Sequence, residues 1–264
     1  AQGKSVLVKT SMENNFCLTA EQLEEAITPQ TKLLMLCSPN NPTGSVYTLD
    51  NLKALVEVLK RHPQVNVLAD EIYQHILYTG KHETLAQFAE IEDRLIIING
   101  VSKAYAMTGY RIGWLACHDK QLVTAVKRLQ GQMITCATTI AQKAAEAAYR
   151  GPQDCVEEMR AIFQQRRDII VQMAKDIPGM KVLEPQGAFY LFPDVSAFFG
   201  KQHQGGTINN AEDLVTYLLR EAHVACVSGS AFGEDNCIRL SYATSESIIV
   251  EAMKRIKEAL CKLQ

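Results

Sequence analysis

Three short apolar segments, each followed directly by polar residues, place the tightest limit on the fold of this chain. They are LLMLC at 33–37, VNVLA at 65–69 and LIIIN at 95–99. Uninterrupted apolar runs are typical of strands in a parallel sheet, because helices cover both faces of such a sheet. Two further runs, SVLVK at 5–9 and IGWLAC at 112–117, predict additional strands.

The segments between these runs have the pattern of amphipathic helices. TAEQLEEAIT (19–28) begins with Thr19 and an acidic first turn, and TLDNLKALVEVLKRH (48–62) begins with the capping spacing of Thr48 and Asn51. Strands that alternate with helices predict a doubly wound α/β unit over residues 1 to about 117.

Beyond this point the pattern changes. Residues 120–149 are helical and rich in alanine, Gly151 and Pro152 end that stretch, and a charged amphipathic helix follows to about Lys175. Short apolar runs then alternate with helical segments at 211–221 and 245–262.

We therefore expect the α/β class, with a mainly parallel sheet and helices on both of its faces, and a smaller C-terminal α+β domain. The predicted domains are residues 1–150 and residues 151–264.

Composition excludes several classes of protein. The formal net charge is -2 without a long block of one sign, which indicates neither a nucleic-acid partner nor an anionic membrane. No segment has the roughly 18 apolar residues of a membrane span. The eight cysteines are scattered without a C-x-x-C pair, which predicts reduced thiols and a cytoplasmic location. The six histidines show no metal-ligand spacing, so we expect no metal site.

The polar residues after the three apolar runs are the candidate functional residues. Ligands of open α/β sheets bind beyond the carboxyl ends of the strands, where SPNNPTG (38–44), DEIY (70–73) and GVSK (100–103) would lie. Each has an ordinary explanation alone: Asn41-Pro42-Thr43-Gly44 as a turn, Asp70 as a helix cap and Lys103 as a surface lysine. Because these residues follow three successive predicted strands, we expect them to form a shared site.

A lysine beside a carboxylate, a phenol and an arginine suits pyridoxal phosphate chemistry. Burial and a nearby cation lower the pKa of an amine, as Schiff-base formation requires. Asp70 is the candidate partner of the cofactor's ring nitrogen, and Tyr73 and Asn41 suit its ring oxygen. Ser102 and Arg111 suit its phosphate, because a guanidinium binds an anion through two donors.

Four motifs in this order resemble the signatures of the fold-type I pyridoxal-phosphate aminotransferases of class I, most of all the bacterial aspartate aminotransferase subgroup. They are SPNNPTG, ADEIY, SKAYAMTGYRIGW and IRLSYA. The resemblance covers nearly the whole chain. NPTG alone would be weak, whereas the ordered set is specific.

The resemblance implies a role for each matching residue. Lys103 matches the lysine that forms the Schiff base and moves the substrate's Cα proton. Asp70, Tyr73 and Asn41 match ligands of the cofactor ring, Ser102 and Arg111 match phosphate ligands, and Arg239 matches the arginine that binds the substrate α-carboxylate, together with Asn41. Gly100 stands where the family often has a second phosphate-binding hydroxyl.

The function that the resemblance implies is ping-pong transfer of an amino group between an L-amino acid, aspartate by subgroup, and a 2-oxo acid such as 2-oxoglutarate. It also implies a homodimer with shared sites, and an N-terminal part that this chain lacks, so we expect a fragment. Two alternatives stay open: a lyase of the same fold that eliminates a sulfur group, and a fragment without activity. A nicotinamide dehydrogenase is disfavoured because no G-x-G-x-x-G follows the early strands.

Overall fold

The computed structural model describes residues 3–264, and the first two residues of the predicted 1–150 domain lie outside that range. The chain forms two compact units. One, called here the sheet unit, comprises Cys17–Pro39 and Val46–Arg160. The other, called the C-terminal unit, comprises Asn40–Ser45, Ala161–Gln264 and the described residues through Phe16. The units divide within a helix at Arg160, and the domain boundary after residue 150 stays a prediction.

A four-stranded sheet forms the centre of the sheet unit, in the order β1 (Leu33–Cys37), β2 (Asn66–Asp70), β3 (Leu95–Gly100) and β4 (Gly113–Cys117). The first three strands are parallel and β4 is antiparallel to β3. The predicted mainly parallel sheet is confirmed. Because β1, β2 and β3 run in one direction, the residues after their carboxyl ends emerge at one edge of the sheet.

Helices connect the strands as the sequence predicts. α1 (Ala20–Ala26) follows Thr19, and α2 (Leu49–Arg61) follows Thr48. Each threonine accepts a hydrogen bond from the third residue of its helix, and the side chain of that residue bonds back to the threonine amide. These reciprocal bonds satisfy amides that have no partner within the helix, which explains where both helices begin.

Two predicted elements of the first half differ in the structure. Residues 5–9 form no strand, and Leu7 is 80% exposed. A strand gains its stability from pairing, and within the described residues this segment pairs with no neighbouring strand. The predicted helical stretch 120–149 is two helices, α3 (Lys120–Met133) and α4 (Thr139–Arg150), and Thr138 caps the second of them.

The C-terminal unit contains most of α5 (Asp154–Lys175) and a small antiparallel sheet. That sheet has the order β5 (Tyr190–Leu191), β9 (Ile238–Ser241) and β8 (Val227–Ser228). The remaining elements are the hairpin β6 (Gln202–His203) and β7 (Gly206–Thr207), α6 (Ala211–Tyr217), which continues as a π-helical turn to Ala222, and α7 (Glu246–Leu260). One of the short runs after Lys175, KVLEP at 181–185, was expected as a strand but contributes only a single bridge, between Lys181 and Asp194.

Candidate active site

Asp70, the last residue of β2, has an unusually high carboxyl pKa. Burial is the main cause, because it disfavours the charged form, and the neighbouring carboxylate of Glu71 adds to it. The amide of Ile72, which donates to Oδ1 over 3.1 Å, and the positive charge of Lys103 both oppose the shift. The site therefore holds its carboxylate in a desolvated position close enough to Lys103 for their charges to interact.

Tyr73 lies in the turn after β2 and is only 3% exposed. Backbone hydrogen bonds from Gln74 to Glu71 and from Ile76 to Tyr73 close the turn that carries it. The ammonium nitrogen of Lys103 lies 5.7 Å from the centre of the Tyr73 ring, within the range of a cation–π contact. The ring thus forms one wall beside the lysine.

Lys103 is half-buried in the turns that follow β3. Val101 and Ala104 on either side of it are almost completely buried, and the amide of Ala106 donates to the Lys103 carbonyl over 3.2 Å. These contacts fix the backbone of the lysine while its long side chain remains partly accessible. The parallel pairing of β2 with β3 brings the three residues Asp70, Tyr73 and Lys103 together.

Gly100 has a steric reason to be glycine. It pairs with Gly113 across β3 and β4, and a Cβ added to Gly100 would lie 2.9 Å from the Gly113 Cα and 3.0 Å from the Ile112 carbonyl oxygen. A residue with a hydroxyl side chain would have to push the strands apart. The absence of a hydroxyl at this position therefore follows from the close approach of the two strands.

Ser102 and Arg111 lie in the same loop as Lys103. Ser102 is half-buried, whereas Arg111 is exposed and has a left-handed backbone with φ 54°. The guanidinium of Arg111 donates to the carbonyl oxygen of Thr108 over 2.9 Å. This bond leaves the other donors of the guanidinium available, since arginine carries five N–H groups.

Asn41 and Arg239, 198 positions apart in sequence, meet within the C-terminal unit. The guanidinium of Arg239 donates to Oδ1 of Asn41 over 3.0 Å. The rings of Tyr190 and Phe232 each lie 4.9 Å from the Arg239 guanidinium carbon. Two aromatic walls and one amide thus hold a half-buried, permanently charged group, an arrangement suited to a carboxylate ligand.

The turn that carries Asn41 is held by its own side chains. Thr43 donates to the Asn40 side-chain oxygen over 2.9 Å, and Asn40 and Gly44 are joined by a backbone bond of the same length. Gly44 has φ 69°, a conformation that glycine adopts without strain. The turn predicted from NPTG is present.

Residues that the sequence patterns did not identify also support the site. Glu71 is buried and accepts a hydrogen bond of 2.6 Å from Thr84. The Asn99 side-chain nitrogen is buried and makes no hydrogen bond within the described residues. Only Glu71 carried a sequence signal, because a carboxylate directly after a buried strand needs a partner. The rings of Tyr190 and Phe232 beside Arg239 had no such sequence signal.

Within residues 3–264 no group of three or more histidine, cysteine, aspartate or glutamate side chains is placed to hold a metal ion. In the same range no helix has both the length and the apolar character needed to cross a membrane.

Comparison with known proteins decides the family. The family model described as aminotransferase class I and II matches residues 1–256. The chain belongs to this family. This aminotransferase chain is 44% identical over 270 residues to the bifunctional aspartate aminotransferase and glutamate/aspartate-prephenate aminotransferase of Petunia hybrida, a match that covers 100% of the chain and 56% of the relative. It is also 44% identical to the aspartate aminotransferase of Rhizobium meliloti (strain 1021), over 99% of the chain and 64% of that relative.

Solved aminotransferase structures have the same fold. The crystal structure of the Rhizobium meliloti aspartate aminotransferase matches with a TM-score of 0.95 and 44% identity, over 100% of the chain and 66% of that structure. The aromatic aminotransferase of Pyrococcus horikoshii matches with a TM-score of 0.89 and 33% identity, over 97% of the chain and 67% of that structure. The aminotransferase chain therefore spans 56 to 64% of the length of the two curated relatives above.

The residues of the sheet unit fit the cofactor that the family implies. Pyridoxal phosphate needs an amine for its aldehyde, an anionic partner for its ring nitrogen and a donor for its ring oxygen. Lys103, Asp70 and Tyr73 carry an amine, a carboxyl and a hydroxyl of these three kinds. Burial disfavours the charged form of the Asp70 carboxyl, and a protonated ring nitrogen beside it would offset that effect.

Proposed function

We propose that this protein is a pyridoxal-phosphate-dependent aminotransferase that moves an amino group between an L-amino acid and a 2-oxo acid, with aspartate and 2-oxoglutarate as the expected pair. The observation that carries the proposal is geometric: the parallel pairing of β2 with β3 puts Asp70, Tyr73 and Lys103 at one edge of the sheet, with the Lys103 nitrogen 5.7 Å from the centre of the Tyr73 ring. The names of the relatives, aspartate and aspartate/prephenate aminotransferases, support aspartate as donor.

In this proposal the residues of the sheet unit hold the cofactor. Lys103 would bind its aldehyde carbon, the Asp70 carboxylate would accept a hydrogen bond from its protonated ring nitrogen, and Tyr73 would donate to its ring oxygen. Ser102 and Arg111 would bind its phosphate. Asn41, a residue of the C-terminal unit, has the further role at the ring oxygen that the family resemblance implies. When bound, pyridoxal phosphate supplies an electron sink for the charge that develops at the substrate Cα.

Lys103 has a second task as the base. With the cofactor bound, the free amine of Lys103 would take the proton from the substrate Cα and would deliver it to C4′ of the cofactor. A general base must be neutral to accept a proton. The half-buried position of Lys103 supports this role, because its backbone is held between the buried residues Val101 and Ala104 while its side chain remains partly accessible.

Arg239 and Asn41 bind the α-carboxylate of the substrate in this proposal. A planar guanidinium offers a carboxylate two parallel donors, and the bond from Arg239 to Asn41 fixes the plane in which they lie. The two rings that flank Arg239 restrict its rotation and exclude water, which strengthens the ion pair.

Two further features follow from the family resemblance. We propose a homodimer, which is supported by the exposed apolar side chains of α3, among them Val126, Leu129 and Met133. We also propose a cytoplasmic location, which the eight free cysteines support. Sedimentation of the purified protein tests the first of these proposals directly.

The experiment for the function has two steps. The protein is titrated with pyridoxal phosphate while the visible absorbance is followed, and borohydride reduction should then fix the cofactor on Lys103. The loaded protein is next assayed with a panel of L-amino acids and 2-oxoglutarate. Formation of glutamate from aspartate is the expected result. Release of pyruvate and ammonia from cystathionine without a 2-oxo acid would instead show a lyase, and bound cofactor without any transfer would refute the proposal.

A further inference from the structure

Arg167, in α5, is a buried arginine that no motif identified. It is 5% exposed, and a buried guanidinium is costly unless its donors are paired. It donates from Nη1 to the Pro185 carbonyl oxygen over 2.9 Å, and the same nitrogen lies 3.0 Å from Oε1 of Glu184. Nε donates to Asp168 over 2.6 Å. Arg167 therefore ties the start of the segment 184–190 to helix α5.

The next residues of that segment hold the turn of Asn41. The amides of Gln186 and Gly187 both donate to the carbonyl oxygen of Gly44, each over 2.9 Å. A Cβ on Gly44 would lie 2.4 Å from the Pro185 Cβ, so the two backbones pack directly against each other. The position of Pro185 is thus coupled to that of Gly44, and Gly44 is bonded through its own amide to Asn40, the neighbour of Asn41.

The far end of the same segment contacts Arg239. Ala188 is completely buried, Phe189 accepts a backbone bond from Tyr242, and Tyr190 pairs with Ser241 on β9. The Tyr190 ring lies against the Arg239 guanidinium. One short segment thus touches the Asn41 turn at one end and Arg239 at the other.

We propose that Arg167 is a positioning residue for the Asn41–Arg239 pair, and that it acts on substrate carboxylate binding through the segment 184–190. This inference rests on the proposed function of that pair. Arg167 itself bonds to neither residue in the contacts described. Its role follows from geometry, because a guanidinium can bind a carbonyl and two carboxylates at once, and no apolar or singly donating side chain can do so.

The test compares Arg167→Met, Arg167→Lys and the control Arg255→Met. Arg255 forms an exposed pair with Glu251 on α7, so the control also removes an arginine ion pair. Binding of succinate, a dicarboxylate that cannot transfer an amino group, is measured by calorimetry on the cofactor-loaded protein. KM and kcat for L-aspartate and the absorbance of the bound cofactor are measured on the same samples.

We expect Arg167→Met to weaken succinate binding and to raise KM by about tenfold, because small misplacements of binding groups are costly, while the cofactor absorbance stays unchanged. Arg167→Lys should recover part of the loss, and it serves as the test if the Met variant does not fold. A folded Lys or Met variant with unchanged succinate affinity would overturn the inference. Failure of the unaltered protein to bind succinate would overturn the proposed function of Arg239 instead.

Discussion

The two groups of candidate residues use charge in different ways. In the sheet unit, burial raises the pKa of the Asp70 carboxyl, and the positive charge of Lys103 opposes that shift. In the C-terminal unit, the guanidinium of Arg239 is oriented by two rings and an amide. Chemistry that moves protons is therefore expected to depend on the first group, and recognition of the carboxylate on the second.

Loss of the lysine should have the largest effect. In Lys103→Ala, amino transfer should fall by at least about 100-fold, because both the covalent partner of the cofactor and the base are removed. Steady-state assays with aspartate and 2-oxoglutarate measure the loss. Lys143→Ala, which removes an exposed lysine paired with Glu146, is the matched control and should keep full activity. Full activity in the Lys103 variant would refute its role.

Replacement of the arginine should separate binding from chemistry. Arg239→Lys keeps the positive charge but loses the planar fork, so KM for aspartate should rise by about 10- to 100-fold. The pH profile of kcat should keep its shape, since Arg239 is proposed to bind the carboxylate and not to transfer a proton. Arg255→Lys serves as the control. If the pH profile of kcat shifts in Arg239→Lys, then Arg239 also affects proton transfer, and the separation of carboxylate binding from proton transfer is wrong.

The close approach of β3 and β4 predicts a loss of stability. Gly100→Ala should lower the free energy of unfolding by about 1–3 kcal/mol, because its Cβ would overlap Gly113 and the Ile112 carbonyl. Gly109→Ala is the control, since a Cβ there would meet no atom within 4 Å. Urea titration of both variants measures the difference. If the two variants have equal free energies of unfolding, then β3 and β4 accommodate the added Cβ at little cost, which contradicts the prediction.

The smallest expected effect concerns Asp70 and pH. The folded pKa of Asp70 lies above the ordinary value of 3.8, so its folded form binds a proton more tightly than the unfolded form. Stability is therefore lost as pH rises through the raised pKa. Asp70→Asn cannot ionise and avoids that loss.

Thermal unfolding of the cofactor-free proteins tests this expectation. The Asn variant should melt above the unaltered protein at pH 7, and the gap should shrink towards pH 4. A variant that melts lower at pH 7 would show that the attraction between the charges of Asp70 and Lys103 outweighs burial.

The sequence was sufficient to predict the sheet and the position of its polar ends. The runs at 33–37, 65–69 and 95–99 correspond to β1, β2 and β3 with shifts of a residue at most, because an uninterrupted apolar run bounded by polar residues is a strong local pattern for a parallel strand. The prediction of a strand at 5–9 was wrong. A strand forms only where a second strand pairs with it, and a local sequence pattern does not contain that information.

The site was predictable only in part. Asp70 and Lys103 follow neighbouring strands, so topology alone brings them together. Arg239 lies far from Asn41 in sequence, so no local pattern predicts the hydrogen bond between them. Only the family resemblance assigns both residues to the same ligand. Arg167 and the Tyr190 ring had no signal, because a buried arginine in an amphipathic helix and an aromatic residue in a strand are ordinary patterns.

The most direct test of the account is a half-reaction. The protein loaded with pyridoxal phosphate is mixed with L-aspartate in the absence of any 2-oxo acid, and oxaloacetate is counted against the cofactor bound at Lys103. The account predicts about one equivalent of oxaloacetate and no free ammonia, because the amino group stays with the cofactor until an acceptor arrives. Release of ammonia in step with product, or a loaded protein that forms no oxaloacetate, would contradict it.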